Sequence, residues 1–127
     1  MARDPRQQAR DRLSALGDPP AADTTAAHRL QKDAALLGRL LAAAGEQNND
    51  GHAPHVDPDD VGAALGLFET MRHQLDRLET QVVIEARRRG LDWRQIARYQ
   101  GLNSSQAASQ RYQRLMTRLE EIRQGVR

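Results

Sequence analysis

The sequence predicts an all-α protein, a helical bundle built around one long central helix, and three observations predict it. The apolar 39% of the chain is mostly Leu and Ala while aromatic residues make up only 3%, a balance that favours helix over sheet. Apolar residues recur at intervals of three and four along extended stretches, the spacing that lines one face of a helix. Those stretches are bracketed by residues that start and stop helices, Thr or Asp-Pro before and Gly after. At 127 residues the chain has room for a single core.

Residues 1–23 contain Asp4-Pro5, Gly17 and Asp18-Pro19-Pro20 and are read as a flexible N-terminal arm with at most a transient helical turn. Residues 24–89 are read as a two-helix core and dimerisation region. Its first helix is expected over 26–44, capped by Thr24 or Thr25 and stopped by Gly45, with Leu30, Ala34, Leu37, Leu41 and Ala44 as its apolar stripe. Residues 46–56 (EQNNDGHAPHV) show no period and are expected to be a flexible linker. Asp57-Pro58-Asp59-Asp60 is a strong helix start: a cap, a proline suited to the first turn, and acids at the positive end of the dipole. The pattern then runs to Arg89, where Gly90 closes it.

Within this second helix Val61, Phe68, Leu75 and Val82 fall seven apart, with Ala64, Met71 and Leu78 in the companion positions of a heptad. A helix of roughly thirty residues is about 45 Å long. It packs along the first helix or pairs with a second copy. Val61, Phe68, Met71, Leu75 and Leu78, joined by Leu119 and Ile122 near the C-terminus, are the expected homodimer interface.

Composition narrows the function classes. Without cysteine there is no disulfide, thiolate metal site or thiol nucleophile. No apolar run approaches membrane-spanning length and the first residues lack the apolar stretch of a secretory signal, so a cytoplasmic protein without a membrane role is expected. His52 and His55, flanked by Asp50 and Asp57, lie in a Gly/Asn-rich stretch that offers no fixed geometry, so no metal or other cofactor is expected. No phosphate-cradling glycine loop and no Ser/His/Asp set occurs, which argues against an enzyme. Charge is divided unevenly along the chain. From Glu85 onward ten arginines face four acidic residues, a balance of +6, against −4 for the remainder.

That basic region, residues 90–127, is where the functional signal lies. Asp92 caps a short helix, Gly101 supplies a left-handed exit, and Asn103 or Ser104 caps the next helix, which makes a helix-turn-helix with an extended last helix. Trp93, Ile96, Ala97, Gly101, Leu102, Ala108, Tyr112 and Leu115 are its expected core, with Ala97 small because the two helices cross there. On a helical wheel Gln106, Ser109, Gln110, Gln113 and Thr117 lie opposite the apolar face, with Arg114 at the edge. Glutamine pairs bidentately with adenine and arginine with guanine, so Gln106, Ser109, Gln110, Gln113 and Arg114 are the candidate base readers. Arg87, Arg88, Arg89, Arg94, Arg98, Ser104, Ser105 and Arg111 are the candidate phosphate contacts.

The blocks Arg87-Arg88-Arg89-Gly90, Trp93-Arg94-Gln95-Ile96-Ala97 and Gln106-Ala107-Ala108-Ser109-Gln110-Arg111-Tyr112 follow one another in order. Over about Glu85 to Leu119 they resemble small actinobacterial helix-turn-helix proteins, and the resemblance implies a DNA-binding, regulatory role. Gln100 stands where those proteins usually carry an apolar residue, and the Asn103-Ser104-Ser105 turn is one residue longer than the commonest version. The expected function is a homodimeric transcription regulator that puts helix 105–118 into the major groove of double-stranded DNA. Two alternatives compete with it: an adaptor that engages a sigma factor or another regulator through the heptad surface, and a sequence-neutral nucleoid-associated protein.

Overall fold

The computed structural model describes residues 4–18, 25–49 and 55–125, and every regular element among them is helical. In chain order these are α1 (Pro5–Ser14), α2 (Ala26–Asn49), α3 (Pro58–Arg88), α4 (Trp93–Gln100) and α5 (Ser105–Arg123).

The first helix replaces the arm expected at the N-terminus. Asp4-Pro5 acts as the same start signal as Asp57-Pro58: the Asp4 carboxylate accepts the Arg6 N–H at 3.0 Å and proline occupies the first turn. Good helix formers carry it onward, with Gln7 donating to Asp11 at 3.0 Å one turn on. It ends shortly before Gly17, which has φ of 89°, and it buries none of its side chains. Residues 1–3 and 19–24 lie outside the described residues, and so does Thr24 as a cap.

Thr25 caps α2, its hydroxyl oxygen accepting the His28 N–H at 3.1 Å. Gly45 does not stop this helix, which continues to Asn49. A glycine ends a helix when it turns left-handed; at a helical φ it only costs about 1 kcal/mol relative to alanine. Gly45 is not among the positive-φ glycines. The expected linker therefore shrinks: residues 46–49 are helical, 50–54 lie outside the described residues, and 55–57 are non-helical.

At the start of α3 a reciprocal cap forms, Asp57 accepting the Asp60 N–H at 2.9 Å and Asp60 accepting the Asp57 N–H at 3.1 Å. The helix is 31 residues long, about 46 Å. It closes where Gly90 turns to φ 91° and the Leu91 N–H reaches back to the Ala86 carbonyl at 3.0 Å. α2 packs along α3. The eight residues 50–57 span at most about 29 Å, less than the ~36 Å of α2, so the two helices form an antiparallel hairpin.

That hairpin splits the heptad pattern in two. Ala64, Leu67 and Met71 are half-buried and Gln74 is buried, forming the side of α3 turned to α2, whose Ala26 is buried and Leu30, Leu37 and Leu40 half-buried. Val61, Phe68, Leu75 and Val82 remain exposed. Met71 and Leu78, expected in the same dimer interface, are half-buried within one chain. At the far end of α3 a second packing centre gathers Val83, Ile96, Ala97 and Ala108, with Ala86, Leu91, Trp93, Leu102 and Tyr112 packed against it. Full burial of a side chain such as Ile96 contributes about 1.5–3 kcal/mol, so this small corner fixes how α4 and α5 stand on α3.

Candidate nucleic-acid interface

The C-terminal unit is assembled from local signals. Asp92 accepts the Gln95 N–H at 2.8 Å while the Gln95 side-chain oxygen accepts the Asp92 N–H at 2.9 Å, which fixes the start of α4. Gly101 adopts φ 72°, and the Leu102 N–H bonds back to the Ala97 carbonyl at 2.8 Å, turning the chain out of α4. Ser104, rather than Asn103, caps α5, its hydroxyl oxygen accepting the Ala107 N–H at 3.0 Å. Where α4 and α5 meet, Ala97 and Ala108 are 2% and 1% exposed, leaving no room for a larger side chain. Trp93 and Tyr112 close the corner with ring centroids 5.6 Å apart.

This packing sorts the faces of α5. Ala108 and Leu115 are buried and Tyr112 and Leu119 half-buried, whereas Gln106, Gln110, Gln113, Arg114 and Thr117 are exposed on the opposite side. Ser109 is half-buried and sits at the margin of that outward face. Of the two C-terminal residues expected in the homodimer interface, Leu119 is half-buried on the inner face and Ile122 is 45% exposed. Ala97 and Leu102 floor a shallow cleft between α4 and the start of α5, rimmed by Arg94, Arg98, Asn103, Ser104 and Ser105. Arg94, Arg98 and Arg114 have no carboxylate partner among the described residues.

Other arginines in the expected phosphate set are engaged internally. Arg87 lies over the Trp93 ring, 5.0 Å from its centroid, and donates to the Leu91 carbonyl at 3.3 Å. Arg88 and Arg89 reach Glu85 at 3.2 and 2.9 Å, and the hydrogen bond from Arg89, helped by the charge of Arg88, holds the Glu85 carboxyl below its ordinary range. Arg111 is turned toward α3. It donates to Glu79 through both Nε and Nη2, the latter at 2.8 Å, and this pairing raises the guanidinium above its ordinary value.

Glu79 also accepts from Gln100 Nε2 at 3.3 Å, so the amide standing at a usually apolar position links α4 to α3. One helical turn away, Arg118 donates to Asp76 at 2.7 Å. Asp76, Glu79 and Arg118 carry no sequence signal of their own, and Gln100 stands out in the sequence only as an amide at a usually apolar position. Their partners lie 21 to 42 residues away, beyond any local spacing rule. Together they lash α5 and α4 to α3, so the outward face is held in a fixed direction relative to the long helix.

Among the described residues no helix is long and apolar enough to cross a membrane, and no group of three or more His, Asp or Glu side chains is placed to hold a metal ion. His52 and Asp50 lie outside the described residues. No protein-family model matches the chain, and no curated protein or solved structure matches it significantly.

Proposed function

We propose that the α4–turn–α5 unit is a helix-turn-helix carried on the long central helix α3, and that the protein is a DNA-binding transcription regulator of the bacterial cytoplasm. The observation that carries this reading is the outward face of α5. Gln106, Gln110, Gln113 and Arg114 stand exposed on it, while the inner face and the Arg111 and Arg118 ion pairs anchor the helix from behind. Amide and guanidinium groups at these spacings meet base edges in a major groove. Arg94, Arg98, Ser104 and Ser105, around the start of the same helix, meet the flanking phosphates. Arg111 serves as an anchor in this reading rather than as a phosphate contact. The resemblance to small actinobacterial helix-turn-helix proteins supports the same role. Two copies acting together present two such helices to two half-sites.

Selection of bound duplexes from a random pool at near-physiological salt tests it. A shared sequence should emerge, and its affinity should fall steeply as salt rises. Gln110→Ala with Arg114→Ala should cost about 1–3 kcal/mol per lost base contact and relax the preference, whereas Arg94→Ala should weaken all duplexes alike. Equal affinity for every duplex would point to sequence-neutral nucleoid binding instead, and absence of salt-sensitive binding overturns the reading. A second reading, an adaptor that docks another protein, is favoured by the exposed Val61, Phe68, Leu75 and Val82 of α3.

A further inference from the structure

Along α3, Val61, Leu65, Phe68, Arg72, Leu75, Glu79, Val82 and Ala86 follow one another at alternating steps of four and three. An average of 3.5 residues is the repeat of a helix that pairs lengthwise with another helix. This seam is distinct from the one α2 covers. Its apolar members stand open: Val61 is 46%, Leu65 67%, Phe68 41%, Leu75 55% and Val82 66% exposed. The two ends of the seam differ. Over its C-terminal half it floors an apolar groove walled by Leu91, Ile96 and Tyr99, whereas no such wall flanks residues 61–68 among the described residues.

The geometry points to a second copy of this chain as the occupant, paired antiparallel through the seam, with the N-terminal turns of each α3 seated in the groove of the other. This deepens the two-copy part of the proposed function and does not depend on its DNA part. Two observations select the antiparallel arrangement. First, Arg72 and Glu79 are the only charged members of the seam. In a parallel, in-register pair each would face its own like charge. Turned end for end about a point between His73 and Gln74, the seam maps onto itself. Leu65 then meets the partner's Val82, Val61 meets the partner's Ala86, and both like-charge contacts disappear, Arg72 falling opposite the partner's Leu75 and Glu79 opposite the partner's Phe68. Arg72 itself lies over the seam, its guanidinium 5.9 Å from the Phe68 ring centroid and 3.7 Å from Glu69, with the Arg72 and Glu69 side chains largely exposed. Second, a parallel pair would bring two walled grooves face to face, so that Tyr99, 84% exposed, and its counterpart would prop the helices apart. In the antiparallel pair each open end enters a walled one.

The chain has no cysteine, so introduced thiols report on this register alone. Chains carrying Leu65→Cys are mixed with chains carrying Val82→Cys, equilibrated without DNA and oxidised. A disulfide-linked heterodimer should form in the mixture, while either variant by itself should stay largely uncrosslinked. Efficient self-crosslinking of Leu65→Cys overturns the inference in favour of a parallel pair. So does a solution mass of 14.2 kDa for the unmodified chain at micromolar concentration in place of twice that value. Phe68→Glu should return the mass to that of one chain with its helical circular dichroism retained. A dimer of this register that ignores DNA would sink the DNA reading alone, and a DNA-binding monomer would sink this inference alone.

Discussion

Glu79 shows how much of this molecule rests on residues that carry no motif. Its carboxylate receives Arg111 twice and Gln100 once, from two different helices, and its side chain is 24% exposed. Glu79→Ala strands both donors in a partly desolvated position, and a loss of about 1 kcal/mol is expected. The figure is held low because Arg111 is 45% exposed and regains water easily. Glu79→Gln, which keeps one acceptor for Arg111, should lose less. The urea midpoint measures both, and an unchanged midpoint for Glu79→Ala would mean that this pair contributes no stability and serves only to orient α5. The residue types were present in the sequence all along. What was missing was any rule that brings a glutamate to an arginine 32 positions later.

At the scale of elements, legibility followed the distance over which a signal acts. The caps at Asp57, Asp92 and Ser104 each close within three residues, and the sequence points directly to the first two while leaving Asn103 beside Ser104 for the third. Stops were harder, because a glycine is ambiguous until its φ is known. Gly101 and Gly45 were both expected to end helices, yet only Gly101 turns left-handed, at φ 72°. The two should respond to alanine with opposite signs. Gly101→Ala forces a side chain into the left-handed region and should cost about 1–2 kcal/mol, with no steric clash to add since nothing lies within 4 Å of the new Cβ. Gly45→Ala meets open space in a helical backbone and should stabilise by about 0.5–1 kcal/mol. Thermal midpoints of the two variants decide the matter, and equal shifts in one direction would contradict the assigned backbone. The N-terminal segment differs from expectation for a related reason: Asp4-Pro5, within the expected arm, starts a helix instead of breaking one.

For the whole molecule, the all-helical class followed from composition and period, but the division of labour along α3 did not. A heptad read on a line cannot say which seam meets α2 and which meets a partner, since both lie on one helix. The burial pattern distinguishes them and leaves a monomer with a thin interior. Among the described residues the buried apolar side chains are Ala26, Val83, Ile96, Ala97, Ala108 and Leu115, while Leu65, Leu75 and Val82 remain more than half exposed. If two copies cover that seam, folding and association are linked, and the thermal midpoint must rise with protein concentration. Each tenfold increase adds about 1.4 kcal/mol to the stability of the dimer, which for a unit of this size is a rise of roughly 3–6 °C. Phe68→Glu, which removes the pairing, should melt lower and at a temperature independent of concentration. Calorimetry across two decades of concentration separates the cases: a flat midpoint for the unmodified chain would show that α2 and the C-terminal corner stabilise α3 unaided.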